Sequence, residues 1–315
     1  MPAQIFTYLR GLLQGTNITA TFLSFQFGYS HDRITRFLSL GFPWKKIVLR
    51  LIQIWFGLLK GGYLIIDDTV LAKPYGKKFA NACFAYSSCL DKVVYGYHIV
   101  LLTWTNGFIT IPVSFRFYRK GGKSKVALAS ELLKEAKTFF RMKPVAVLFD
   151  SWYGAANLLD QIQSYNWFFY CQIKKNRVIN AAAVADDLVE NGDALTGPLT
   201  GNCMGCILRY EDKFFATNNL LASHERIIQS YRLRWKIEEV FRFLKSELHL
   251  EECQARSIQA QQTHLVSCMI AYLLVQKEQQ NLPDKTLYQI KDEWLLNRRL
   301  GNNRIKHYVV KELFA

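Results

Sequence analysis

The order of β-rich and helical segments between residues 63 and 173 constrains the fold more than any other feature of the sequence. A short apolar run precedes two β-rich runs joined at Asn106-Gly107, and an Asn-Gly step between such runs is a strong hairpin signal. A helical pattern, a buried strand, a short helix and a last β-rich run follow. The predicted order is β-β-β-α-β-α-β, which indicates an α/β protein. The β-rich runs are 63–66, 93–104, 108–118, 144–149 and 167–173, and the helical patterns are 124–140 and 158–162.

Two of the apolar runs lead directly into acidic residues. The run 63–66 is followed by Asp67 and Asp68, and the run 144–149 is followed by Asp150. A short apolar run that ends in an acid fits a buried strand delivering a carboxylate at its C-terminal end. Aspartate is also common at strand ends because it starts turns, so each acid alone is a weak sign of catalysis.

A third acid lies in a segment that is predicted to be one helix. Ser223 can cap its start, and no proline or glycine interrupts the apolar spacing of three and four that follows. At about 100° per residue, Tyr231, Arg234, Glu238 and Lys245 fall on one face, and the apolar residues fall on another. A solvated charged face would show the same pattern, so spacing alone does not establish a function.

The same four residues match the signature Y-x2-R-x3-E-x6-K, and the whole segment 231–245 is similar to the run Y-R-x-R-W-x-I-E-x-x-F-R-x-L-K. Both are typical of bacterial insertion-sequence transposases of family four, which are DDE enzymes, and the chain resembles that family. The resemblance implies a ribonuclease-H-like mixed sheet in the order β-β-β-α-β-α-β-insertion-α. In that fold a β-rich insertion precedes the helix that carries the glutamate.

The resemblance also implies the catalytic residues and the cofactor. Asp67, Asp150 and Glu238 would hold two Mg²⁺ or Mn²⁺ ions, since carboxylate oxygens are the ligands that these ions prefer. The ions would activate a water for strand cleavage and then a 3′-hydroxyl for strand transfer. The family pattern of acid, any residue, Thr selects Asp67, and Asp68 is the alternative ligand. Adjacent strand residues point to opposite faces, so only one of the two can face the metals.

The charge balance is consistent with a DNA partner. Lys and Arg number 40 against 25 Asp and Glu, which gives a net charge of +15 and a pI of about 9.5. Basic stretches at 73–78, 116–125 and 174–177 lie beside the predicted catalytic strands. We expect double-stranded DNA, both transposon ends and target, as the partner. The predicted DNA-binding residues are Tyr231, Arg234 and Lys245 on phosphates, Trp152 and Tyr153 on a displaced base, and Lys174, Lys175 and Arg177.

The chain is interpreted as one elaborated domain with a helical region in front. The uncharged span 93–115 fits a hairpin better than a membrane helix, and no basic-then-apolar leader is present, so we expect no membrane partner and a cytoplasmic, nucleoid-associated bacterial protein. Family inference adds a homodimer on DNA. The predicted regions are 1–60 (helical, a DNA-binding candidate), 61–173 (first part of the core), 174–220 (β-rich insertion), 221–280 (glutamate helix and a core helix) and 281–315 (basic tail).

Two other functions remain open from the sequence. A catalytically inactive, DNA-binding remnant or regulator of transposition could keep the fold, because a fold alone fixes no activity. A nuclease of the same fold that acts on branched DNA would share the metals but not usually the signature. The presence of all three acids and all four signature letters favours an active cut-and-paste transposase.

Overall fold

The computed structural model describes residues 2–74, 76, 78–87, 91–179 and 182–309. The described residues form an α/β arrangement in which four helices precede the first four strands. The strands are β1 (Tyr63–Ala72), β2 (Cys83–Ser87), β3 (Lys92–Thr105), β4 (Thr110–Tyr118), β5 (Ala146–Phe149), β6 (Phe168–Ile173), β7 (Val178–Ile179), β8 (Ala182–Ala183), β9 (Ala194–Pro198), β10 (Met204–Tyr210) and β11 (Lys213–Thr217). The helices are α1 (Pro2–Gln14), α2 (Ala20–Phe27), α3 (His31–Ser39), α4 (Trp44–Phe56), α5 (Lys125–Thr138), α6 (Ala156–Ser164), α7 (Val184–Asp187), α8 (His224–Arg232), α9 (Lys236–Ser246), α10 (Ile258–Asn281), α11 (Leu287–Leu296) and α12 (Arg298–Lys306).

The main sheet has the strand order β2-β3-β1-β5-β6-β11-β10-β9, and β4 pairs with β3. The pairs β1–β5 and β5–β6 are parallel, whereas β6–β11, β11–β10 and β10–β9 are antiparallel. The sheet is therefore mixed, as predicted. The strands of the predicted insertion, β9 to β11, extend the sheet beyond β6. β7 and β8 pair with each other.

The chain divides into two compact units. The sheet unit comprises Leu59–Asp68 and Val100–Glu238, and the helical unit comprises Met1–Leu58, Thr69–Ile99 and Glu239–Ala315.

In the sheet unit, parallel strands are covered by helices. β5 is buried along its whole length, and α5 and α6 pack against β4 and β6, respectively. The helix α8 contacts β5, β6 and β11. Ser124 caps α5 by accepting a hydrogen bond from the backbone N–H of Ala127. The buried strands are short apolar runs, which is the pattern expected of a parallel sheet covered on its faces.

In the helical unit, α10 is the central element. Residues buried on every face of this 24-residue helix explain why its apolar residues show no one-sided pattern. α1, α3, α4 and α11 all pack against it. No described helix combines the length and the apolar character that a membrane crossing requires.

Two predicted element boundaries are wrong. β1 does not end at Ile66 but continues to Ala72, because buried Thr69, Val70 and Leu71 extend the β-rich run; Asp67 and Asp68 are consequently inside the strand. The helix that Ser223 caps is also not continuous. A single 3₁₀ turn, Leu233–Trp235, separates α8 from α9.

Candidate active site

Asp67 and Asp150 are brought side by side by the parallel register of β1 and β5. The last pair in the register of β1 and β5 is Ile65 with Leu148; two residues later, Asp67 lies inside β1 and Asp150 lies just past the end of β5. The two carboxylates are close enough for the charge of Asp150 to affect the pKa of Asp67. The Asp67 side chain is only 17% exposed. Two carboxylates therefore lie near each other at a partly buried position where β1 and β5 are neighbours.

The charge state of this pair reflects the crowding. Burial raises the pKa of Asp67 to about 7; the Arg234 guanidinium opposes the rise, and the Asp150 carboxylate adds to it. Burial also raises the pKa of Asp150, against the hydrogen bond that its carboxylate accepts from the Trp152 backbone N–H. Both carboxylates thus lie where an added positive charge would be stabilised.

Glu238 joins this group through Arg234. The two ends of the Arg234 guanidinium donate to Asp67 Oδ2 at 2.8 Å and to Glu238 Oε1 at 2.5 Å. Arg234 lies in the 3₁₀ turn before α9, and Glu238 lies in the first turn of α9. The turn places the guanidinium between acids that are 171 positions apart in sequence, a geometry that favours charge-assisted hydrogen bonds.

Asp68 has different partners from Asp67. Its Oδ2 accepts from Lys125 Nζ at 2.5 Å, and its Oδ1 accepts from the hydroxyl of Tyr153 at 2.8 Å. The Tyr153 side chain is fully buried, and burial together with the Asp68 carboxylate raises the pKa of its hydroxyl well above the usual value. Tyr153 is therefore placed to support Asp68 and not to contact a base. Both oxygens of Asp67 also accept hydrogen bonds, Oδ1 from the backbone N–H of Asp68 at 2.8 Å and Oδ2 from Arg234 at 2.8 Å, so the choice of Asp67 as the metal ligand stays a prediction.

Trp152 lies beside the acids and faces outward. Its side chain is 59% exposed, and its backbone is fixed by the hydrogen bond to Asp150 Oδ1 at 3.0 Å. The amino groups of Lys125 and Lys174 lie 5.6 and 5.7 Å from the centre of its ring. These distances are within the range of cation–π attraction.

The other two signature residues, Tyr231 and Lys245, fall in different units. Tyr231 belongs to the sheet unit, where its hydroxyl donates to Gln172 Oε1 at 3.3 Å and burial raises its pKa to about 12. Lys245 belongs to the helical unit, where its amino group donates to the Val70 carbonyl at 2.9 Å and lies 3.3 Å from Glu251.

The basic stretches contain residues with structural roles that the sequence did not reveal. Lys73 is buried and donates to backbone carbonyls of Glu251 and Cys253, and Tyr75 and Lys77 of the same stretch fall outside the described residues. Arg116 pairs with Glu131 and Glu135. Arg177 donates to the Gly154 and Leu199 carbonyls, whereas Lys174 and Lys175 are exposed.

Lys125 is a site residue that the sequence analysis did not single out. It is the first residue of α5, and its contact with Asp68 spans 57 positions. The only signal was its membership of the basic stretch 116–125, at a predicted helix start. A sequence pattern cannot distinguish it from Arg116, whose guanidinium is used in a salt-bridge network.

The donor set suits a hard divalent cation, because Asp67, Asp150 and Glu238 offer carboxylate oxygens. In the described part of the chain, no three acidic, histidine or cysteine side chains are grouped closely enough to hold a metal as they stand. The reason is visible in the geometry: the Arg234 guanidinium supplies the positive charge between Asp67 and Glu238. Carboxylates that already hold a cationic group fit a metal that replaces it.

Residues 60–274 match the family model described as transposase DDE domain. A sequence search of curated proteins finds no match.

One solved structure supports the fold. The cryo-EM structure of the piggyBac transposase synaptic complex with hairpin DNA is similar over 100% of this chain and 72% of that chain, with a TM-score of 0.58 and 10% identity. The Mos1 strand transfer complex matches over 51% of this chain and 56% of that chain, with 15% identity and a TM-score of only 0.22. The first likeness confirms the ribonuclease-H-like α/β fold.

Transposases with a DDE domain are generally dependent on divalent metals. The family model covers more than half of the chain and includes Asp67, Asp150 and Glu238. The chain therefore belongs to the DDE-domain transposases, enzymes that act on DNA.

Proposed function

We propose that the chain is a cut-and-paste transposase of family four, which cleaves DNA at the ends of a bacterial insertion sequence and joins those ends to a target. The observation that carries the proposal is that Arg234 bonds both Asp67 and Glu238, while the charge of Asp150 acts on Asp67. The partner is double-stranded DNA, and the protein to which this fold is similar was solved with hairpin DNA.

Asp67, Asp150 and Glu238 would hold the divalent cations, which we propose to be two Mg²⁺ or Mn²⁺ ions. Cations bound there supply an activated oxygen nucleophile and neutralise the charge of the reacting phosphate. β1 carries Asp67, β5 leads directly into Asp150, and the two strands pair in parallel, so both acids are held by the same part of the sheet.

The surrounding cations of this chain position the substrate. Arg234, released from one carboxylate, presents a planar fork that suits a phosphate, and Lys125 offers a point charge held in place by Asp68. Such contacts set the position of the DNA and not the sequence that is read. A cytoplasmic, nucleoid-associated homodimer bound to two DNA ends is part of the same proposal.

The test is cleavage of a DNA fragment that carries the ends of the element encoding this chain. We expect strand cleavage and joining to a target plasmid with Mg²⁺ or Mn²⁺ and none in EDTA. Glu239→Gln is a matched control for Glu238→Gln, because the two carboxylates are adjacent and Glu238 is the signature residue, which accepts from Arg234. Specific binding of the ends with no cleavage under any metal condition would favour an inactive regulator instead.

A further inference from the structure

A groove in the sheet unit is not explained by the catalytic acids. It has a volume of about 470 Å³ and lies between the end of β6 and the turn that joins β10 to β11. Lys174 and Lys175 line one side, and Asp212 and Lys213 line the other. Ser151, which follows the catalytic Asp150, also lines it, so the groove begins at the active site.

The lysines of the groove are held close together by the sheet. β6 and β11 are antiparallel with Ile173 opposite Phe214, and Lys174 and Lys213 are the residues next to that pair in the chain. Like charges directly opposite each other destabilise a strand pair. All three lysines are exposed, and Asp212 supplies only one negative charge at the rim. An anionic ligand would relieve this repulsion.

An aromatic ring connects the groove to the reacting centre. Trp152 is 59% exposed, is anchored to Asp150 through its backbone, and has Lys174 Nζ 5.7 Å from its ring centre. Exposed aromatic rings next to cations are the features with which proteins bind single-stranded nucleic acid, because each unpaired base presents a face for stacking. Base faces are covered in a stacked duplex and cannot be reached in this way.

We propose that this groove binds a single strand of DNA, with Trp152 stacked on an unpaired base and with Lys174, Lys175 and Lys213 on the phosphates that follow. The proposal rests on the proposed function, because it takes the ligand to be the DNA substrate. It adds a path for the strand: from the catalytic acids, past Trp152, and toward the β10–β11 turn of the insertion.

The experiment measures binding of the full chain to a fluorescent oligothymidine of about 15 nucleotides and to a duplex of the same length, in EDTA. No cleavage is needed, so the groove and the catalytic proposal can fail independently. Loss of one stacked base predicts that Trp152→Ala weakens single-strand binding about 5- to 150-fold and leaves duplex binding nearly unchanged. Phe168→Ala is the matched control, since this 41% exposed ring begins β6 and is at the strand end opposite to Lys174.

The lysines are tested by salt dependence. The triple variant Lys174→Ala, Lys175→Ala, Lys213→Ala should lower the slope of log affinity against log salt by about 2 for the single strand, since each phosphate contact contributes about 0.7. A control triple variant changes Lys60, Lys134 and Lys143 to alanine. The backbones of Lys60 and Lys143 form a β-bridge just before β1 and β5 begin, at the opposite ends of these strands from Asp67 and Asp150.

A second readout identifies stacking directly. An oligonucleotide with one 2-aminopurine should lose fluorescence on binding, and Trp152→Ala should abolish that quenching while Phe168→Ala keeps it. Absence of single-strand binding by the parent chain would overturn the proposal. So would equal effects of the groove and control variants, or equal losses for duplex and single strand in Trp152→Ala.

Discussion

Replacing Arg234 by glutamine tests whether this arginine competes with a divalent cation for Asp67 and Glu238, two of the carboxylates that we propose to be catalytic. In the structure the guanidinium donates to Asp67 at 2.8 Å and to Glu238 at 2.5 Å, and its side chain is only 16% exposed. A divalent cation that binds the same oxygens, Asp67 Oδ2 or Glu238 Oε1, therefore replaces at least one of these bonds. Arg234 competes with the metal until a DNA phosphate provides the guanidinium with another partner.

The size of the effect follows from the bonds that are lost. A hydrogen bond between charged groups contributes about 1.5–3 kcal/mol. If one such bond is broken when the cation binds, Arg234→Gln should bind Mg²⁺ about 10- to 150-fold more tightly than the parent chain in the absence of DNA. The same variant should be less stable than the parent in EDTA, because Asp67 and Glu238 lose their shared counter-charge.

Isothermal titration with Mg²⁺, supported by thermal unfolding at increasing Mg²⁺, measures both effects. Arg226→Gln is the control, since this arginine of the same region donates to the neutral hydroxyl of Tyr63 at 2.9 Å. Unchanged or weaker Mg²⁺ binding by Arg234→Gln would refute the competition. Tighter binding by both variants would attribute the change to net charge alone.

Three further predictions concern positions outside the three acids. Asp68→Asn should slow cleavage while leaving the Mg²⁺ affinity within about threefold, because the change loosens Lys125 and not the metal site; equal losses of both would contradict this. Burial lowers the pKa of His264 to about 3, so as the pH falls below about 6.5 the unfolded chain takes up a proton before the folded chain does. In urea titrations the parent should therefore lose up to about 1.4 kcal/mol of unfolding free energy per pH unit relative to His264→Gln. Curves of stability against pH that run parallel for the two proteins would refute this. Gly62→Ala should lower the melting temperature more than Gly61→Ala. Both glycines have positive φ, but only at Gly62 would an added Cβ lie 2.6 Å from the Thr105 carbonyl oxygen. Equal shifts in melting temperature would show that this steric contact does not matter.

The sheet was predictable because it depends on local patterns. The apolar run before Asp150 became β5, and the Asn106-Gly107 step joined β3 to β4. The fold class was confirmed by the mixed sheet and by the likeness to the piggyBac transposase, and β9 to β11 lie between β6 and the helix α8 along the chain. β2 was not anticipated; it lies on the edge of the sheet beside β3.

The departures arise where distant contacts decide the local structure. The helical pattern after Ser223 gives no sign of a 3₁₀ turn, yet in the structure that turn carries the arginine that bonds Asp67. Asp67 and Asp68 lie inside β1, and their carboxylates have partners far away in sequence, Arg234 and Lys125. Contacts of this kind are absent from any single segment of sequence.

The roles of the individual residues stay predictions until activity is measured. The contacts of each side chain nevertheless distinguish the candidates on physical grounds. Asp67 is next to Asp150 and paired with Arg234, whereas Asp68 supports Lys125 and Tyr153. Arg177 and Tyr153, which the sequence analysis assigned to DNA, are occupied by contacts within the protein.

The central claim is that Asp67, Asp150 and Glu238 act as one catalytic unit. The most direct measurement is the single-turnover rate of Mg²⁺-dependent cleavage of the element's own ends by Asp67→Asn, Asp150→Asn, Glu238→Gln and the triple variant, with Glu239→Gln as control. Residues that act together show non-additive losses, so each single variant should lose nearly as much activity as the triple variant, while Glu239→Gln keeps the parent rate. Losses that multiply from one variant to the next, or cleavage that survives in Asp150→Asn, would contradict the account.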